Sequence, residues 1–173
     1  MRRALSAAAL AVLAGCSALE AQRPVGNAII VPPGWSEVPI PVKLAVNPVL
    51  GMWTRGPAGD VGKSKDFLML MRFPSSDNQP LTEKILASSG TKDATITERK
   101  DVTLCNGSKG VRTRMHATTT SGGSSRDLDM EVVAAQGKGE ALIAIYAYPM
   151  GSTPDSAAVA AVDNVCPILS AKT

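Results

Sequence analysis

The sequence is short of the residues that most chemistry needs. In 173 residues there is one histidine, His116, and there are three cysteines. That is too few for a multi-ligand zinc site, and the spacing of a haem or iron–sulfur motif is absent. Aromatic side chains make up 3%. No block of Lys and Arg occurs, and a formal charge of +3 is too small to hold a polyanion, which argues against a nucleic-acid partner. Long apolar runs are missing too. The segment Ala4–Gly15, broken only by Ser6, spans roughly 18 Å as a helix. The hydrocarbon core of a bilayer is about 30 Å thick, so a transmembrane helix is the poorer reading. The glycine-rich stretches lack the strand–GxxxxGK[ST]–helix setting of a phosphate loop, and no internal repeat is visible.

What is present begins with an address. Arg2 and Arg3 precede the short apolar run, which ends in Leu13-Ala14-Gly15-Cys16, the layout of an export signal. That tetrapeptide resembles the lipobox of bacterial lipoprotein signal peptides in both order and position. The resemblance implies a diacylglyceryl thioether on Cys16 and cleavage before it. Residues 1–15 are then a signal peptide, 16–27 the lipidated cysteine with a flexible tether, and 28–173 a single α+β domain. Acyl chains on Cys16 make the membrane a partner, since two or more chains anchor stably where one does not. Ser17, not an aspartate, stands after the cysteine, which by the same resemblance favours the outer membrane over the inner, on the exported side. The competing reading is an ordinary secretory signal cleaved near Ala18 or Ala21. Without Arg2 and Arg3 the mature chain has 16 basic and 15 acidic side chains, so no steering field remains.

Cys105 and Cys166 are the other two thiols of an exported chain, and one disulfide is the simplest use of them. Closing a loop of about 60 residues stabilises by roughly 4 kcal/mol in the chain-entropy model. The alternative, a catalytic thiol, wants a histidine beside it.

Apolar residues at 45% and charged residues at 19%, with 15 Gly and 12 Pro, describe a globular domain rich in turns and short strands. Strands are expected at Ala28–Val31, Val49–Thr54, Phe67–Phe73, Thr95–Cys105, Val111–Thr119, Asp127–Ala135 and Glu140–Tyr148. Phe67–Phe73 is apolar at nearly every position, as a strand buried on both faces is. A helix is expected after Pro80, ending at Gly90. A second opens with Thr153 as N-cap and Pro154 at N1, turns Ala158, Val159, Val162 and Val165 inward, and stops at Pro167. The class is α+β: an antiparallel sheet of about six strands whose last four form a meander, with one helix before the meander and one C-terminal. Element order and the Pro33-Gly34-Trp35 corner resemble the PsbP/Mog1-like domain over residues 28–169. The paired cysteines stand outside that pattern. The family spans photosystem-associated, Ran-binding and uncharacterised bacterial members, so the resemblance implies a fold and no activity.

Register arithmetic on the meander exposes one constellation. Pairing Val111–Thr119 with Asp127–Ala135 at positions summing to about 245 keeps the apolar residues together, Met115 on Met130 and Ala117 on Leu128. Arg114 then meets Glu131, His116 meets Asp129 and Thr118 meets Asp127. A sum near 275 sets Val132 against Ile143, Met130 against Ile145, Asp129 against Tyr146 and Asp127 against Tyr148 in the next pair. The face opposite the core then carries Arg112, Arg114, His116, Asp127, Asp129, Glu131, Tyr146 and Tyr148, as either a solvated face with cross-strand ion pairs or a surface for a ligand or partner. His116 beside Asp129 has no activated nucleophile within reach, Thr118 being the nearest hydroxyl. Alternate positions of a flat strand do not wrap a cation, which leaves a metal site and any cofactor out of the expectation. Trp35 and Trp53 read as packing anchors, and Met69, Met71, Met115 and Met130 as core filler. The expected function is therefore a lipid-anchored cell-envelope protein that binds another envelope component or plays a structural part, without enzymatic activity. A small-molecule or lipid carrier is the alternative, and a hydrolase centred on His116 the third reading.

Overall fold

The computed structural model describes residues 28–40, 49–56, 64–74, 92–105, 107–121, 124–136 and 140–166. Seven strands and one helix are found among them: β1 (Trp35–Glu37), β2 (Val49–Arg55), β3 (Phe67–Pro74), β4 (Lys92–Thr103), β5 (Lys109–Ser121), β6 (Ser124–Gln136), β7 (Glu140–Pro149) and α1 (Ser156–Asp163). The strands form one antiparallel sheet in the order β1-β2-β3-β7-β6-β5-β4. Strands β4 to β7 make the expected meander, and β3 pairs with β7 to join it to β1 and β2.

Several expectations need correcting. Ala28–Val31 is not a strand; Ala28 and Ile29 are buried, and the Ala28 carbonyl accepts from the Cys166 N–H at 2.7 Å. The first strand is instead Trp35–Glu37, opened by Gly34 at φ 82°, a backbone region that glycine enters without a steric penalty. The helix over residues 80–90 lies outside the described residues, as does Pro167. Helix α1 starts two residues later than expected, because Asp155 is the N-cap and its carboxylate accepts from the Ala157 N–H at 2.9 Å. Thr153 and Pro154 remain in the approach. The β5–β6 ladder runs out to Ser121 opposite Ser124, beyond the expected strand ends at Thr119 and Asp127.

The sheet has apolar packing on both sides. One face buries Met115, Leu128, Met130, Val132, Ile143 and Ile145, with Phe67, Met69, Met71 and Phe73 half buried beside them. The other gathers Leu68, Leu70, Trp53, Trp35, Val133, Leu142 and Tyr146 under Ala158, Ala161, Val162 and Val165. Helix α1 crosses β6 and β7, and a disulfide joins Cys105, just past β4, to Cys166, just past α1, with Cα atoms 5.3 Å apart. Strand β4 is the edge next to β5. It carries Glu98, Arg99, Lys100 and Asp101 and two register irregularities, devices that keep an open edge from pairing with another chain.

Candidate functional site

The β5–β6 pairing follows the register read from the sequence: Arg114 opposite Glu131, Met115 opposite Met130, His116 opposite Asp129, Ala117 opposite Leu128 and Thr118 opposite Asp127. The β6–β7 register does not. Tyr146 stands opposite Glu131, and Tyr148 opposite Asp129, two residues along from the expected pairs. Val132 accordingly faces Ile145, and Met130 faces Ala147. A slip of two leaves every side chain on its own face, so the apolar pattern cannot distinguish the registers and the turn decides.

The face expected to be solvated is divided. Arg112, Glu131, Tyr146 and Tyr148 are buried, whereas Arg114 and Asp127 are exposed and His116 and Asp129 are half buried. The reason is α1, which docks on the β7 side of this face and converts it into core. The Tyr146 and Tyr148 rings stack at 4.9 Å, and Trp35 meets Tyr146 edge-on at 6.0 Å. The Tyr146 hydroxyl accepts from the Asp155 N–H at 2.9 Å, tying the sheet to the start of the helix. Burial pushes the Tyr146 phenol up to about 12 and raises that of Tyr148 as well, so both hydroxyls stay protonated at neutral pH.

From this core a chain of charges runs outward. The buried Glu131 carboxylate accepts from Arg112 Nη2 at 3.1 Å and from Arg114 Nε at 2.8 and 3.0 Å. Arg112 Nε stands 3.0 Å from Asp163 Oδ1 at the end of α1, an ion pair without a hydrogen bond's alignment. Arg114 Nη1 donates to Glu98 of β4 at 2.9 Å, and Lys100 lies 3.6 Å from Glu98. The Glu131 charge raises the Arg114 pKa above its ordinary value. Farther along, Asp129 is hydrogen-bonded to His116 through Oδ1 and accepts the Gly151 N–H through Oδ2 at 3.1 Å. Asp127 accepts from the Thr118 hydroxyl at 2.7 Å.

The outer members line a shallow hollow of about 280 Å³, with Thr97, Arg114, His116, Asp129, Tyr148 and Pro154 around it. A second hollow, of about 430 Å³, lies on the other face between Asp101, Lys109, Val111, Ala134 and Gln136. Sequence reasoning brought Arg114, His116, Asp129 and Glu131 together but missed Glu98, Asp163 and the Gly151 amide. Unbroken alternation from Thr95 would have put Glu98 on the other face; the bulge between Ile96 and Glu98 brings it opposite Arg114. Asp163 and Gly151 arrive only through the docking of α1 and its approach. Among the described residues, no three His, Cys, Asp or Glu side chains are placed to hold a metal ion together, and no helix is long and apolar enough to cross a membrane.

No protein-family model matches the chain, and no curated protein does. Three solved structures are similar to it at low identity. CyanoP, the cyanobacterial PsbP of Synechocystis, is 13% identical over 70% of this chain and 74% of its own, with a TM-score of 0.45. LpqN of Mycobacterium tuberculosis, a protein involved in cell envelope biogenesis, is 14% identical over 80% of this chain and 82% of its own, with a TM-score of 0.43. A Pseudomonas aeruginosa protein of unknown function is 14% identical over 67% of each chain, with a TM-score of 0.37.

Proposed function

We propose that this chain is a lipid-anchored module of the cell envelope that works by binding, not by catalysis, and that it holds its envelope partner at the β4–β6 end of the sheet. The observation that carries the binding reading is the charge chain Asp163–Arg112–Glu131–Arg114–Glu98, buried at one end and open over a hollow at the other. A buried ion pair is poor value as a stabiliser, because apolar residues of like volume serve as well or better. What it provides here is position. Glu131 grips Arg114 Nε with both oxygens, so the rest of that guanidinium is presented to the hollow in one orientation. The motif Leu13–Cys16 and the stretch up to Asn27 supply the anchor and the reach.

Two measurements test the two halves of the proposal. Mass spectrometry of the mature N-terminus is expected to find an acylated Cys16, and Cys16→Ser to release the protein from membranes; an unmodified peptide beginning after Ala18 or Ala21 overturns the anchor. A photo-crosslinking residue at Thr97, beside the hollow, is expected to trap an envelope component in intact cells. The same residue at Glu37, on the opposite edge of the sheet, is expected to trap none. Equal yields from the two positions, or none from either, overturn the binding site.

A further inference from the structure

We infer that the hollow between Arg114 and His116 is a receptor for an oxyanion, a carboxylate or a phosphate monoester carried by a larger envelope molecule. This rests on reading that hollow as the binding site and assigns the chemistry of what enters it.

The argument is an inventory of hydrogen-bonding groups. The acceptors around the hollow are largely spent. Glu131 takes bonds from both arginines, Asp129 uses one oxygen on His116 and the other on the Gly151 N–H, and Glu98 takes Arg114. The donors are not. Arg114 commits its Nε–H and one Nη1–H, and a guanidinium has five N–H groups in a planar fork, which leaves three. The imidazole of His116 engages Asp129 through Nδ1 only, which leaves Nε2 to accept in the neutral ring and to donate in the imidazolium. The hydroxyl of Tyr148 makes no hydrogen bond among the described residues and is not sealed from solvent, and burial keeps it protonated. A site with donors in surplus selects an acceptor-rich ligand, and a forked donor beside a hydroxyl suits a carboxylate or phosphate. The carboxylates that line the hollow, Asp129 and Glu131, have both oxygens engaged, which leaves none for an ammonium ligand.

The fixed charges do not select on their own, since Lys100, Arg112 and Arg114 stand against Glu98, Asp127, Asp129, Glu131 and Asp163; the selection is made by the open N–H fork of Arg114. The volume of about 280 Å³ and the open mouth admit one charged headgroup and leave its carrier outside.

The test uses the mature, anchored chain in detergent micelles, with NMR of the His116 ring and calorimetry as readouts. The probes are N-acetylglycine, inorganic phosphate, methyl glucoside as a neutral polyol and tetramethylammonium as a cation. The expected result is saturable binding of N-acetylglycine or phosphate with a shift of the His116 resonances. Whichever of the two binds more tightly identifies the source as a carboxylate or a phosphate. Arg114→Gln is expected to weaken that binding about tenfold or more, the loss of one charge-assisted contact. Tyr148→Phe, which keeps the stacked ring and removes only the hydroxyl, is expected to weaken it several-fold with unchanged melting. Saturable binding of the polyol or the cation, with none of either anion, overturns the oxyanion assignment and leaves the binding site standing. Anion binding unchanged in both variants also overturns the assignment. No binding of any probe, with the Thr97 crosslink still formed in cells, overturns the assignment alone; loss of that crosslink as well overturns the site.

Discussion

Replacing Glu131 by glutamine keeps the shape of the side chain and removes its charge, and the cost follows from what the two arginines can do next. Arg114 is nearly half exposed, so water takes over its lost bonds and its share is about 0.5 kcal/mol. Arg112 is 9% exposed and has no such recourse; it keeps only Asp163, at 3.0 Å and without hydrogen-bond alignment. Stranding one member of a buried pair costs about 3–5 kcal/mol. The glutamine oxygen still accepts one bond and Asp163 still neutralises part of the charge, which brings the expectation for Glu131→Gln to about 2–3 kcal/mol. Domains of this size hold about 5–15 kcal/mol in all, so the effect is large. Urea unfolding of the oxidised chain, read by circular dichroism and tryptophan fluorescence, is expected to show a lower midpoint with an unchanged slope. The double variant Arg112→Met/Glu131→Leu is expected to cost less than the two single changes added together, by about 1 kcal/mol or more. If Glu131→Gln falls within about 0.5 kcal/mol of the parent, or the single changes simply add, then the pair is solvated in solution and the positioning argument fails.

Reduction of Cys105–Cys166, which spans 61 residues, is expected to remove roughly 4 kcal/mol and to lower the melting temperature markedly; identical melting curves with and without reductant count against the bridge. Tyr146 gives a pH dependence with a definite sign. Because its folded phenol is raised from 10.0 to about 12 by burial, its contribution is complete below pH 10 and is lost as pH climbs from there toward 12. Tyr146→Phe is expected to abolish that alkaline loss and to cost about 1 kcal/mol at neutral pH through the Asp155 N–H left without its acceptor; an unaltered alkaline limb refutes the assignment. Gly51 sits where a Cβ would run into the six-membered ring of Trp53. Gly51→Ala is therefore expected to displace that indole, red-shift its emission and destabilise by about 1–3 kcal/mol, and wild-type emission and melting would show that the ring has room to move.

How much of this was legible in the sequence depended on which rule the residues obeyed. The β5–β6 register could be read because Arg114–Thr118 and Asp127–Val132 alternate and the hairpin is short, so a slip of one would have put Met115 and Met130 in water. The β6–β7 register could not, because shifts of two preserve the faces. The second core had a signal that went unused. Ala141–Ala147 is apolar at every position, the same pattern that marked Phe67–Phe73 as covered on both sides. Followed consistently, it requires something on the face of Tyr146 as well as on the face of Ile145, and that something is α1. The burial of Arg112 and Glu131 is then a consequence, since they share that face with Val133 and Ala135.

The same helix explains why half of one sheet face is core and half is open. Helix α1 is held near its start by the Tyr146 hydroxyl on the Asp155 N–H, at its last residue by Asp163 on Arg112, and just beyond by the bridge from Cys166 to Cys105. Eight residues are too few to form a stable helix alone, so these attachments and the packing of Ala158, Ala161 and Val162 fix its place. The approach to the helix is fixed by the same means, with the Gly151 N–H on Asp129, the residue that also engages His116. The wall of the hollow and its ionisable floor are thus parts of one hydrogen-bonded assembly. A ligand entering there meets donors already oriented, and its binding loses little to ordering the site. Cys166 also donates to Ala28, the first described residue after the stretch proposed as tether. In a chain anchored at Cys16, tension from the N-terminus therefore falls first on the most strongly cross-linked corner of the domain, where the bridge ties the ends of α1 and β4 together.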